Sequence, residues 1–133
     1  MKHLPNIAAA LLGLAFITFG LNHFFHFLPA MPQPPEGSPP ALFFGAIYPT
    51  GYFSFIKVIE IIGGLLVILP MTRNIGLLFL GPIIINILAF HIFLTTGAGL
   101  TDPPVIVISV LAAYLLWHGR QKFCGLLNSA DKP

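Results

Sequence analysis

Charged residues are scarce in this chain of 133 residues: Asp, Glu, Lys and Arg together make up 8%. A soluble domain carries about 25%. Hydrophobic residues make up 56%, so most of the surface of a fold of this size must face lipid. The net charge of +2 comes without a Lys/Arg cluster, which excludes a nucleic-acid-binding protein.

Cysteine is also nearly absent, since Cys124 is the single one. An internal disulfide and a C-x-x-C redox pair are therefore excluded. The sequence has no H-x-x-x-H pair to accompany Cys124, and no metal site is expected.

Long apolar segments are what the sequence does contain. A helix needs about 20 apolar residues to cross a bilayer, and the sequence predicts four such spans, at about 5–28, 51–69, 74–96 and 103–123. Pro82 is expected to bend the third helix. The predicted fold is all-α: one membrane domain, residues 1–133, folded as an antiparallel four-helix bundle.

The connection 29–50 is rich in proline, which forbids a continuous helix there. Its second half, Ala41–Tyr48, is apolar and aromatic but too short to span, so it is expected to lie in the interface or cap the bundle.

The orientation in the membrane follows from the placement of Lys and Arg. The predicted loops at the end of the bundle that contains this connection hold no Lys or Arg. The other side holds Lys2, Arg73, Arg120, Lys122 and Lys132. This asymmetry predicts cytoplasmic N- and C-termini.

Lys57 and Glu60 lie inside the second span, where each charge costs about 3 kcal/mol or more. Their i,i+3 spacing allows them to pair along one helix face. At a rise of about 1.5 Å per residue, other polar residues of the first and third spans fall at similar depth. Together they predict one candidate site in the outer half of the bundle: Asn22, His23, Lys57, Glu60, Asn86 and His91.

Several interpretations of these polar residues stay open. The pair Lys57–Glu60 could be a neutralised pair that fixes helix packing, or part of a site for protons or a quinone headgroup. An ion or small-molecule pathway is a further alternative. His23 and His91 could ligate haem axially, although no other feature of the sequence favours haem.

Four motifs resemble the DoxX family of small bacterial membrane proteins, over nearly the whole chain. They are Gly20-Leu21-Asn22-His23-Phe24, Lys57-x-x-Glu60-x-x-Gly63-Gly64-Leu65, Pro70 with Arg73, and Asn86 with His91-x-Phe93. The proline-rich connection departs from the family pattern and indicates a DoxX-like branch. The resemblance implies a protein of the bacterial inner membrane with a redox link, because related DoxD subunits belong to a thiosulfate:quinone oxidoreductase.

Two functional hypotheses follow. In the first, the chain is a quinone-interacting accessory subunit of a membrane oxidoreductase. His23 or His91 would donate to the quinone, Lys57 would stabilise negative charge and Glu60 would relay protons; Asn22 and Asn86 complete the candidate ligand-binding set. In the second, the chain is a non-catalytic assembly or scaffold subunit with a structural Lys57–Glu60 pair. Expected partners are the lipid bilayer, a protein of a redox complex and a second copy of the chain.

Overall fold

The structure, a computed structural model, describes residues 2–29 and 32–129. Lys132 and residues 30 and 31 of the proline-rich connection lie outside this part. The described part is helical and contains no strand, which confirms the predicted all-helical class. The helices are α1 (Leu4–Phe25), α2 (Pro39–Ile47), α3 (Tyr52–Ile68), α4 (Arg73–Ala89, continued by a π-helical turn, Phe90–Leu94), α5 (Pro103–His118) and α6 (Arg120–Ser129).

Two of these helices are individually long and apolar enough to cross a membrane. They are α1 and the continuous helix Arg73–Leu94, each of 22 residues. Two further spans are reached only when a bent pair is counted as one: α2 with α3, bent by 83°, and α5 with α6, bent by 69°. The apolar helices therefore indicate a membrane protein with two to four spans.

Several helices end earlier than the sequence predicts. α1 stops at Phe25 because His26 adopts a left-handed conformation, and the Asn22 side chain accepts a hydrogen bond from the Leu28 amide at 2.7 Å. The predicted fourth span is divided at Gly119, which follows the last residue of α5. A Cβ on Gly119 would lie 2.9 Å from the side-chain oxygen of Asn74, so glycine permits this close approach to α4.

Glycine also sets the packing of α3 against its neighbours. A Cβ on Gly13 of α1 would lie 2.5 Å from the carbonyl oxygen of Gly64, and one on Gly20 would lie 3.1 Å from that of Lys57. These contacts make α1 and α3 antiparallel. On the other side of α3, a Cβ on Gly63 would lie 2.8 Å from Leu80 of α4. The close approach expected of a membrane helix with small residues at its interface is therefore present on both sides of α3.

The buried core lies between α1, α3, α4 and α5, which contact one another in that order, with α5 returning to α1. It contains Ala8, Ala9, Leu12, Phe16, Val67, Leu77, Leu80, Ile84, Ile108, Ala112 and Leu115. Large apolar side chains also cover the outer faces: Ile85 is 67% exposed, Phe55 63% and Val110 61%. Soluble monomers rarely expose such continuous apolar surface, which agrees with a lipid environment.

The short helix α2 forms within the proline-rich connection. Its Pro39 and Pro40 occupy the first turn, where a missing N–H does no harm, and the Ser38 hydroxyl accepts a hydrogen bond from the Ala41 amide at 3.4 Å. Phe44 packs on Phe90 of the π-helical turn, with ring centroids 5.3 Å apart. We call this side of the molecule the α2 end, and the opposite side, where α4 begins, the Arg73 end.

Candidate functional site

Lys57 and Glu60 form an ion pair within one turn of α3. The Lys57 ammonium lies 3.2 Å from one carboxylate oxygen of Glu60 and 3.5 Å from the other. The side chain of Glu60 is 5% exposed and that of Lys57 17%. Among the described residues, Glu60 is the one charged residue that is buried. Lys57 therefore neutralises a negative charge that water does not reach.

A hydrogen bond between α1 and α3 extends this polar group toward the α2 end. The Nε2 atom of His23 lies 2.8 Å from the Ser54 hydroxyl oxygen. Ser54, Lys57 and Glu60 follow one another at intervals of three residues, so they lie along one face of α3. Ser54 and Lys57 are half-buried, and Glu60 is buried.

Aromatic rings connect the histidine to the ion pair. The ring of Phe53 lies 5.1 Å from that of His23, and the Lys57 ammonium lies 4.9 Å from the centre of the same Phe53 ring. Tyr48, just beyond α2, stands 5.3 Å from the His23 ring. A cation over an aromatic face is attracted by the ring quadrupole, which helps to hold Lys57 on the side of His23.

The three other predicted site residues bond to backbone groups of their own segments. Asn22 caps the end of α1 through Leu28. The exposed Asn86 donates to the Pro82 carbonyl at 2.9 Å, one turn back along α4. His91 Nδ1 lies 3.0 Å from the Ala98 carbonyl oxygen. The structure thus brings together His23, Lys57 and Glu60.

Sequence reasoning missed Ser54, Phe53 and Tyr48 as members of this site. Ser54 stands three residues before Lys57, so the spacing that pairs Lys57 with Glu60 could have revealed it. Tyr48 lies beyond the end of α2, and its contact with His23 depends on how α2 folds back over the bundle.

A cavity of about 390 Å³ lies beside these rings at the α2 end. It is lined by Phe44 and Tyr48 together with Gln33, Pro34, Ala41, Gly45 and Pro49. Tyr48 therefore has the cavity and the His23 ring as neighbours. The volume of this cavity falls within the range of about 300–1,000 Å³ that small-molecule sites occupy.

The fold and this polar group define an all-helical, membrane-type protein with a buried ion pair. The chain is similar to the uncharacterized protein YwoB of Bacillus subtilis (strain 168), with 34% identity over 86 residues. That match covers 65% of this chain and 53% of the relative, so the chain spans about half the length of the curated relative it matches. No protein-family profile and no solved structure matches the chain.

Proposed function

We propose that the chain is a DoxX-like protein of the bacterial inner membrane, in which α1, α3, α4 and α5 form an antiparallel four-helix membrane bundle. Four spans are supported by the closed ring of contacts from α1 through α3, α4 and α5 back to α1. They are also supported by the two bent pairs, each counted as one span. Arg73 and Lys122 lie together at one end of the molecule, and the positive-inside rule assigns that end to the cytoplasm. Both termini are then cytoplasmic, and the α2 end faces outward.

We further propose that this protein is a quinone-interacting, redox-linked subunit. The observation that carries the proposal is the placement of His23 and Lys57, from two different helices, against one Phe53 ring. Two hydrogen-bond donors beside an aromatic wall are what a quinone headgroup requires. A bound quinone would supply two-electron, two-proton chemistry, its electrons coming from a partner redox protein, since a chain with one cysteine cannot hold a Cys₄ iron–sulfur cluster.

Each residue of the polar face would have a role set by its position. His23, at the outer end of the polar face, donates a hydrogen bond to the ligand. Lys57 stabilises negative charge that develops on it. Glu60, in the buried position next to Lys57, accepts and returns protons. The rings of Phe44 and Tyr48 line the cavity, and Tyr48 also contacts the ring of His23, so the apolar wall of the cavity lies beside His23.

A second candidate is a non-catalytic assembly or scaffold subunit. It is favoured by the burial of Glu60 and by the fact that neither Lys57 nor Glu60 lines the cavity at the α2 end. In that case the ion pair only fixes the packing of α3.

The quinone content of the purified protein tests the proposal. The protein is extracted with its surrounding lipid, and the ratio of quinone to phospholipid is compared with that of the whole membrane. We expect enrichment in the unmodified protein and loss of that enrichment in His23→Leu. A ratio equal to that of the membrane in both proteins would contradict quinone binding and leave the scaffold as the better explanation.

A further inference from the structure

A second cavity, of about 130 Å³, lies at the Arg73 end of the molecule, opposite the α2 end. Its polar lining comes from Arg73 and Asn74 at the start of α4 and from His118 and Lys122 around the bend between α5 and α6. Pro5, Pro70 and Leu115 form the apolar part of its wall. Helices α4, α5 and α6 therefore bring basic or amide groups to the wall of one small space.

Arg73 is held firmly at this cavity. Its Nε donates to the Val67 carbonyl at 3.1 Å, and its Nη2 donates to the Asn6 side chain at 3.0 Å and to the Ile68 carbonyl at 3.4 Å. The guanidinium carries five N–H donors, and its Nη1 has no partner among the described residues. Arg73 thus ties α1 to the end of α3 while keeping donors for a ligand.

No carboxylate of the described residues neutralises these charges. The ion pair of Lys57 takes Glu60, and the remaining described acidic residues, Glu36 and Asp102, lie before α2 and at the start of α5. Among the described residues, the Lys122 side-chain ammonium makes no hydrogen bond or ion pair; only its backbone N–H donates, to the Gly119 carbonyl at 3.0 Å. An anionic group from outside the chain would satisfy the unpaired donors.

The volume limits what that group can be. One water takes a share of about 30 Å³ in the liquid, so the cavity holds a group the size of a few waters, well below the roughly 300 Å³ of a pocket for a drug-sized ligand. A tetrahedral phosphate is such a group, and Arg and Lys are its usual partners.

We propose that this cavity binds the phosphate of an anionic phospholipid headgroup. His118 and Lys122 are exposed at the Arg73 end, and with the bundle placed across a membrane the phosphate groups of one leaflet would reach them. The site depends on the membrane placement of the bundle. It is independent of quinone binding, so failure of one proposal leaves the other unaffected.

Trp117 provides a local probe of the proposed site. It is the single tryptophan of the chain, is next to His118 in sequence and is 66% exposed. The protein is reconstituted into phosphatidylcholine vesicles that contain increasing amounts of dibrominated phosphatidylglycerol, whose bromine atoms quench tryptophan fluorescence. Dibrominated phosphatidylcholine in a parallel series gives the reference for lipid that merely surrounds the protein.

We expect tighter association of phosphatidylglycerol than of phosphatidylcholine, and a preference that falls about tenfold in Lys122→Gln, which removes a direct hydrogen bond from a charged group to the phosphate. Lys2→Gln is the matched control, because it removes the same charge near the start of α1 without altering the cavity lining. The preference should stay within about twofold of the unmodified value there, since a diffuse surface charge is largely screened by salt. Thermal unfolding in detergent confirms that both exposed-site variants are folded.

Equal quenching by the two lipids, or an equal loss in Lys2→Gln and Lys122→Gln, would overturn the proposal. A competition experiment tests whether the phosphate belongs to a lipid. Inorganic phosphate is added to the vesicles, and chloride at the same ionic strength is the control. Unchanged quenching supports the lipid as occupant. Release of quenching by phosphate alone would keep the phosphate site but overturn its assignment to a lipid.

Discussion

The Nε2 atom of His23 and the hydroxyl of Ser54 lie 2.8 Å apart, and this hydrogen bond joins the last turn of α1 to the first turn of α3. From Ser54 the polar face of α3 continues through Lys57 to the buried Glu60. This polar group begins half-buried at the helix end and finishes in the core, so removal of its members should have graded effects.

Loss of Lys57 should destabilise the fold more than loss of Glu60. Lys57→Met leaves a buried carboxylate without a partner, and breaking a buried pair costs about 3–5 kcal/mol. Glu60→Gln leaves an ammonium that is less deeply buried and close to the α2 end. Thermal unfolding in detergent, followed by circular dichroism, measures the difference.

The double variant Lys57→Met, Glu60→Gln completes this test, because replacing both charges removes the penalty of an isolated one. It should recover most of the stability lost in Lys57→Met. Additive losses in the double variant would show that the two side chains are not coupled.

Gly64→Ala should weaken the packing of α1 on α3. The new Cβ would meet the Gly13 carbonyl oxygen at 2.7 Å and Ile17 at 2.9 Å, and overpacking of this kind costs about 1–3 kcal/mol. Gly45→Ala is the control in α2, because apart from its chain neighbours and its own helix backbone no atom lies within 4 Å of its Cβ position. It should be neutral or stabilising by up to about 1 kcal/mol. Equal melting temperatures for the two variants would contradict the close α1–α3 contact.

The long helices could be predicted from the sequence. The faces through which these helices contact one another could not. Apolar length located the long helices, and the i,i+3 spacing of Lys57 and Glu60 indicated their pairing, because both properties belong to one continuous segment. The contact of His23 with Ser54 depends instead on which faces of two helices meet. Asn86 shows the same limit: it lies at a suitable depth, yet its amide bonds to Pro82 of its own helix. The break at Gly119 lies close to Asn74 of α4, a contact between distant parts of the chain that no local pattern reveals.

Phe44 should anchor α2 over the end of the bundle. Its ring contacts those of Phe53 and Phe90 at 5.7 and 5.3 Å, and aromatic pairs contribute about 0.5–1.5 kcal/mol beyond their buried area. Phe44→Ala should therefore speed hydrogen exchange in residues 39–47. Leu42→Ala, at a position that is 66% exposed on the same helix, serves as the control and should leave exchange unchanged. Similar acceleration of hydrogen exchange in both variants would contradict a specific anchor at Phe44. It would mean that all the apolar side chains of α2 hold the helix in place.

Ser109→Ala should leave stability unchanged or raise it. The Ser109 hydroxyl oxygen is buried and has no hydrogen-bond partner among the described residues. An unsatisfied buried polar group costs about 1–3 kcal/mol, and alanine removes it at a small loss of volume. A clear fall in the melting temperature would show that the hydroxyl has a partner, such as a water molecule or a ligand.

The most direct test of the quinone site is a binding titration of the purified protein with a short-chain, water-soluble quinone. His23→Leu should weaken binding about tenfold, as expected for the loss of a hydrogen bond of about 1.4 kcal/mol. His3→Leu, which changes the same residue type at the opposite end of α1, should bind as the unmodified protein does. Identical affinities in all three proteins, or no binding in any of them, would contradict a quinone site at His23 and Lys57.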